Sequence, residues 1–362
     1  MKRGTRAPAF RRDSVAWELA RATLVVLAIV GTTALLLFAG GYAVDSGLAA
    51  LWRGSLGSWY AFTSATLVRA IPLMLTGVAV AIAFRAGVLN IGAEGQLLAG
   101  AAAGAAVALS LGSLPAAIVV VLALIASAVG GAGWAAIAAF LRSRFGVLEV
   151  ISTIMLNFVA LHAVSYLVRG PLQEPTHVYP QSSTIGEAIH LPRIIGAGRL
   201  HSGLLLALGT CIVAGWVLRR TAAGFRLIAA GESPSAASSA GGIDVMATTT
   251  LTFLVSGALA GLAGGVEVLG VTFALYENIS PGYGYTAIAV ALLARRDPWR
   301  VVATALLFGG LEAGAGAMQR DAGVPSTLVT VIEAALILAV VAVGALRRRS
   351  SLPDTATSPI TA

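Results

Sequence analysis

Ten apolar runs, most of them long enough to cross a bilayer, follow one another along this sequence, and that succession constrains the fold more than any motif does. They cover roughly residues 19–44, 59–84, 88–112, 114–141, 147–168, 202–219, 247–270, 283–294, 301–318 and 325–346. About 20 consecutive apolar residues span the hydrocarbon as a helix. Hydrocarbon offers peptide groups no water, so only helices and closed barrels are viable there. A barrel needs segments of about ten residues with alternating polarity, whereas these runs are unbroken. Only 11% of residues are charged, against about 25% in soluble domains. The fold expected is therefore an all-α polytopic membrane protein of about ten transmembrane helices.

Two of the runs are ambiguous as spans. Residues 88–112 carry a polar cluster and fit a re-entrant path as well as a crossing, and 283–294 has about half the usual length, as a broken helix lining a cavity would. Glycines at small-residue spacing, Gly257 with Gly261 and Gly310 with Gly314, favour close helix packing in lipid. The 42 glycines make such contacts available throughout.

Basic residues set the sidedness. With both termini cytoplasmic, 18 Lys and Arg residues fall on the inner side, five (Arg53, Arg169, Arg193, Arg199, Arg320) fall outside, and Arg69 lies within a span. That asymmetry supports an even number of crossings with both ends inside. The organisation expected is a basic cytoplasmic tail at 1–14, a membrane domain at 15–346 and a second cytoplasmic tail at 347–362. The basic N-terminus and the run after it read as an uncleaved first helix. A net charge of +8 spread over loops forms no nucleic-acid face. Cys211, the single cysteine, lies in an apolar run as a small core residue, with no disulfide or thiol metal cluster expected. Lys2 is the single lysine, so the sequence holds no GxxxxGK[ST] loop. ATP-driven work would require hydrolysis by another polypeptide, and no cofactor is expected on this chain.

Two loops exceed a simple turn. The outer loop, 170–201, contains four prolines and His177, His190 and His201, whose spacing fits no metal site and which read as exposed loop residues. The cytoplasmic loop, 219–246, has room for a short helix, with Ser233 as N-cap and Pro234 at its first position.

Polar residues inside apolar runs mark the candidate site. Asn90 and Glu94, with Arg85 and Gln96 nearby, would share a helical face, and Glu149, Thr153 and Asn157 recur every fourth residue. Such groups face a bundle interior, a partner or a water-filled path. Two readings stand side by side, hydrogen-bonded packing between helices and a solute pathway lined by Asn90, Glu94, Thr153, Asn157 and Glu267. Glu149 can instead pair with Arg142 or Arg144. Glu267, Glu312 and Glu333 are candidates to pair with Arg69 or to meet solute. The tyrosines Tyr276, Tyr283 and Tyr285 read as interface anchors, and His162 as a packing residue. No serine–histidine pair, paired-acid motif or HExxH supports an intramembrane enzyme.

The segments FRAGVLNIGAEGQLLAG, EVISTIMLNFVA, TAAGFRLIAAGESPSAA, SGALAGLAGGVEVLG, GYGYTAIAVALLARRDPW and GVPSTLVTVIEAALIL, in this order over about residues 60–346, resemble prokaryotic ABC-transporter permeases of the branched-chain amino acid, ribose and nucleoside type. NIGAEGQ and EVISTIMLN are most similar to permeases of simple-sugar and nucleoside uptake. The resemblance implies a type II importer-like bundle in the plasma (inner) membrane of a prokaryote. Its implied partners are an ATP-binding subunit that holds ATP and magnesium, a second permease subunit, homologous or identical, and an extracytoplasmic solute-binding protein or lipoprotein. It further implies that the loop at 219–246 couples to the ATPase through Gly224, Gly231, Glu232, Pro234, Ala236 and Ala237. The sequence departs from the family pattern at Ser233, Ser238 and Ser239. An ion-coupled secondary transporter, using its buried acids as carriers, and an ABC permease for branched-chain amino acids are the alternatives.

Overall fold

The structure, a computed structural model, describes residues 12–196, 198–332, 334–335 and 338–339. The expected tails, apart from residues 12–14, together with Glu333 and most of the far end of the tenth apolar run, lie outside the described residues. Helices dominate: α1 (Arg12–Ala39), α2 (Val44–Ser55), α3 (Trp59–Ala61), α4 (Leu67–Arg85), α5 (Ala93–Ser110), α6 (Ala116–Phe145), α7 (Glu149–Arg169), α8 (Gly203–Arg220), α9 (Ala222–Glu232), α10 (Pro234–Ser239), α11 (Val245–Glu267), α12 (Tyr283–Leu293) and α13 (Pro298–Asp321). Among the described residues β-pairing is confined to isolated bridges. Among the described residues, six helices are long and apolar enough to cross a membrane. The chain divides into two compact units, Trp52–Gly314 and the residues on either side of it in sequence. In the latter, a Cβ on Gly40 would lie 2.9 Å from Leu328. Hydropathy does not reveal α2, because polar Asp45, Ser46 and Arg53 interrupt the apolar pattern there.

Within Trp52–Gly314, α4 is the central helix. It is apolar on every side and almost completely buried from Ala70 to Ala83, as a helix without a polar face must be. A π-helical turn, Phe62–Thr66, joins it to α3. Pro72 falls inside α4, and the Thr76 hydroxyl donates to the Pro72 carbonyl at 2.7 Å. Helices α8, α11 and α12 pack around α4.

Glycine contacts join α5, α6 and α11. A Cβ on Gly131 would sit 2.6 Å from the Gly261 Cα, and one on Gly100 2.6 Å from the Gly261 carbonyl carbon. Close backbone approach is what small residues supply in hydrocarbon, where helices gain nothing by hiding from lipid. The Gly257 and Gly261 pair thus packs as its spacing predicts. Gly310 has only ordinary neighbours, 3.6 Å or more away, and the close contact belongs to Gly309, 2.8 Å from the Ala70 nitrogen.

The two ambiguous runs become short helices. At 1.5 Å per residue α12 is about 16 Å long, half a bilayer's hydrocarbon core, and α5 about 27 Å. Residues 86–92 link α4 to α5 without regular helix, so the polar NIGAEGQ sequence begins as a strap and turns helical only at Ala93.

One end of this unit carries the strap, α9 and α10, where Arg85 Nε donates to the Arg296 carbonyl at 2.8 Å and Arg219 pairs with Asp297 at 2.6 Å. The other end carries 170–201, hydrogen-bonded along the end of α11. Ser182 N donates to Leu275 O, Ile185 N to Phe273 O and Leu191 N to Leu269 O, all at 2.8–2.9 Å.

Candidate functional site

Asn90 uses every hydrogen-bonding position of its amide. Its Nδ2 donates to Gln96 Oε1 and Ser256 Oγ, both at 2.8 Å, and its Oδ1 accepts from Gln96 Nε2 and Gly92 N, both at 3.0 Å. Ser256 in turn donates to the Ala79 carbonyl at 2.7 Å. One fully buried side chain therefore ties the strap to α4, α5 and α11. Buried polar groups must be paired, and a satisfied network fixes one arrangement of the helices that supply it.

Asn157 fastens the next stretch. Its Nδ2 donates to Ile91 O at 3.0 Å and its Oδ1 accepts from Gly95 N at 2.9 Å. Gly95 is the third residue of α5, so Asn157 caps α5 from a different helix, α7. Thr153 lies one turn earlier, its hydroxyl bonded to Glu149 O at 2.7 Å, its Cβ closing against Gly92. Glu149 pairs with Arg142 at 3.2 Å. The Thr153–Asn157 face of α7 is thus a docking track for residues 91–95.

Glu94 performs the same service for α12. Its Oε2 accepts from Gly284 N at 2.7 Å, while the Ser280 hydroxyl accepts from Gly282 N and Tyr283 N at 3.1 Å. A Cβ on Gly284 would sit 2.5 Å from the Glu94 Cα, so the N-termini of the two short helices abut at this carboxyl group. The N-terminal N–H groups of a helix have no partner within it, and a carboxyl oxygen there satisfies one and complements the dipole.

Glu267, buried near the end of α11, feels the positive charges of Arg69 and Arg199, although no ion pair with Arg69 forms among the described residues. Tyr283 is buried at the start of α12 and is no interface anchor; Tyr276 and Tyr285 are partly exposed. His162 is exposed on α7, contrary to its expected packing role, because the buried face of that helix is the Thr153–Asn157 stripe. Of the loop histidines, His177 is exposed. His190 stacks on Phe273 at 3.9 Å, and His201 is buried against Gly203 and Gly270, where desolvation and then the charge of Arg199 hold its pKa down to about 4. Neither contact was legible in the sequence, because Phe273 and Gly270 lie far along the chain from the histidines they cover. At the loop's edge, hydrogen bonds from Arg169 and Ser165 keep Glu277 below the usual carboxylate range.

The residues of 219–246 form two helices where one was expected. Thr221 caps α9, accepting from Gly224 N at 3.1 Å. Ser233 does precede Pro234 at the start of α10, but its hydroxyl makes no capping bond. Gly224 presses on the end of α8, where a Cβ would lie 2.6 Å from the Leu218 Cα, and Gly231 presses on Ala86 and Gly87. Glu232, Pro234 and Ala236 are exposed, and Ala237 is buried.

A groove of 1040 Å³ runs between α8, α9 and α11. Asn90, Glu94, Thr153, Asn157 and Glu267 do not line it. The hydroxyls of Thr210, Thr248 and Thr252 in its walls are bonded to carbonyls of their own helices, leaving a largely apolar surface. Among the described residues no cluster of His, Cys, Asp and Glu could hold a metal ion.

Residues 62–341 match the family described as "Branched-chain amino acid transport system / permease component". The chain belongs to this permease family. It is 38% identical to a glucose ABC transporter permease protein of Haloferax volcanii, over 91% of this chain and 88% of that protein. It is 39% identical to a guanosine ABC transporter permease protein of Bacillus subtilis, over 87% and 90%. A nucleoside ABC transporter permease protein of Lactococcus lactis is 32% identical over 84% and 85%. No solved structure matches the chain significantly. As a member of a permease family, and with six candidate spans among its described residues, it is a multi-pass membrane protein.

Proposed function

We propose that the chain is the membrane-spanning subunit of an ATP-driven importer for nucleosides or related simple sugars. The observation that carries this reading is the family match together with near-full-length similarity to permeases named for guanosine, nucleosides and glucose. ATP and magnesium belong to a partner ATP-binding subunit. A second permease and an extracytoplasmic solute-binding protein or lipoprotein complete the importer in the plasma membrane, with both termini of this chain and the α9–α10 loop cytoplasmic. In this reading, α10 presents its small exposed residues to the ATPase, and Gly224, Gly231, Glu232, Pro234, Ala236 and Ala237 form the coupling loop.

The residues Asn90, Glu94, Thr153, Asn157 and Glu267 serve the translocation path by holding the broken helices α5 and α12 in place around it. Hydrogen bonds to backbone groups of other segments support that role for Glu94 and Asn157, and side-chain bonds to Gln96 and Ser256 support it for Asn90. A fixed wall offers solute a weak passage, with recognition left to the binding protein. The deciding experiment is uptake of radiolabelled guanosine, other nucleosides, glucose and pentoses into vesicles holding the assembled importer, with and without ATP and a protonophore. Protonophore-resistant, ATP-dependent uptake is expected. Uptake that ignores ATP and collapses with the protonophore would identify a secondary transporter instead.

A further inference from the structure

We infer that the strap 86–92 is the element through which α9 acts on the membrane interior, and that Gly231 and Gly87 are the positioning residues at its point of contact. This deepens the permease reading and rests on it.

Both ends of the strap are held, each by a different kind of contact. At its start, Gly231 of α9 lies directly on the chain: a Cβ there would overlap the Arg85 carbonyl oxygen and stand 2.8 Å from Ala86 C and Gly87 N. Gly87 faces back, 3.2 Å from Gly231 Cα for an added Cβ, with a φ of +74° that side chains rarely adopt. Glycine is thus required twice at one seam, by space on α9 and by backbone conformation on the strap. Leu227, one turn earlier on α9, packs on the cluster containing Ala83, Ala86 and Val88.

From its other end the strap leads into the buried network. Asn90, three residues beyond Gly87, binds α5 and α11; Ile91 binds α7 through Asn157; Glu94 binds the N-terminus of α12. A displacement of α9 toward or away from α4 therefore reaches four helices through a seven-residue segment without regular helix. The strap's start cannot slide independently, because Arg85 donates to the Arg296 carbonyl and Arg296 Nη1 to the Phe84 carbonyl at 3.2 Å. Packed contacts transmit displacement because interiors are close-packed and shift between discrete arrangements. Coupling is measured as a change in one region caused at the other.

The test compares wild type with Gly231→Ala, which overfills the seam, and Leu227→Ala, which empties it from the same helix. Each is assembled with the ATP-binding subunit, second permease and binding protein in lipid nanodiscs or vesicles. Two quantities are read: molecules of ATP hydrolysed per solute imported, and hydrogen exchange of the amides of 86–96. Expected are assembled complexes whose ATP cost per solute rises about tenfold for Gly231→Ala and severalfold for Leu227→Ala, with faster exchange across 86–96 in both. If Gly231→Ala fails to assemble, Leu227→Ala decides. Unchanged exchange at 86–96 in the assembled variants, or uptake and hydrolysis falling in proportion, would overturn the inference. A wild-type complex without ATP-driven uptake would overturn the permease reading instead, and exchange at 86–96 would still decide the seam.

Discussion

Replacing Asn157 with alanine removes its hydrogen bonds to the Gly95 N–H and the Ile91 carbonyl. Gly95 is buried and Ile91 half-buried, and the N–H of the first and the carbonyl of the second lose their Asn157 partner. A buried donor or acceptor left unpaired costs about 1–3 kcal/mol, and the carbonyl, with its second lone pair, sits at the low end. The loss summed over both groups is about 2–4 kcal/mol, equivalent to roughly 30- to 800-fold in the open-to-closed ratio. The chain carries its own reporter. Cys211 is the single cysteine and is buried, so a thiol-reactive dye labels it only when the bundle opens. Purified Asn157→Ala protein is expected to label at a much lower temperature than wild type. Met155→Ala, on the exposed side of the same helix, is expected to shift stability by no more than about 0.5 kcal/mol. Equal labelling curves for these two variants would refute the claim that Asn157 caps α5.

Other consequences follow from the same geometry. Ser256→Ala breaks the links from Asn90 and to Ala79 and should cost about 1–2 kcal/mol in the same labelling assay, because one buried donor of Asn90 loses its acceptor. Gly131→Ala puts a methyl into the Gly257 and Gly261 contact; overpacking of about 1–3 kcal/mol is expected, seen as a lower labelling temperature or loss of monodisperse protein. His201 has its pKa lowered to about 4 from 6.5. On acidification the unfolded chain takes up this proton first, so the stability is full above pH 6.5 and falls until about pH 4, by about 3 kcal/mol in all. The wild-type stability curve should therefore drop more steeply through that window than the curve of His201→Gln, and parallel curves would contradict the burial argument.

Hydropathy alone told correctly that this is a helical membrane protein, and the spacing of Gly257 and Gly261 told which surfaces of α11 approach other helices. The pairing of Glu149 with Arg142 was also legible, since both sit beside the one turn between α6 and α7. Less could be read of α2, whose polar residues break the apolar pattern, or of the second helix in 219–246. The stacking of His190 and the burial of His201 escaped because their neighbours, Phe273 and Gly270, are remote in sequence.

By itself the sequence determined the apolar lengths, the charge asymmetry and the ordered segments shared with permeases, since each of these is a property of local composition. What tertiary structure decided is which groups the polar residues inside the apolar runs bond to. Asn90, Glu94 and Asn157 could equally have faced solute or backbone, because a polar side chain in hydrocarbon needs a partner and the sequence does not say where one stands. Their partners, Ser256, Gly284 and the Ile91–Gly95 backbone, are brought within 3.0 Å only when α5, α7, α11 and α12 close around the strap.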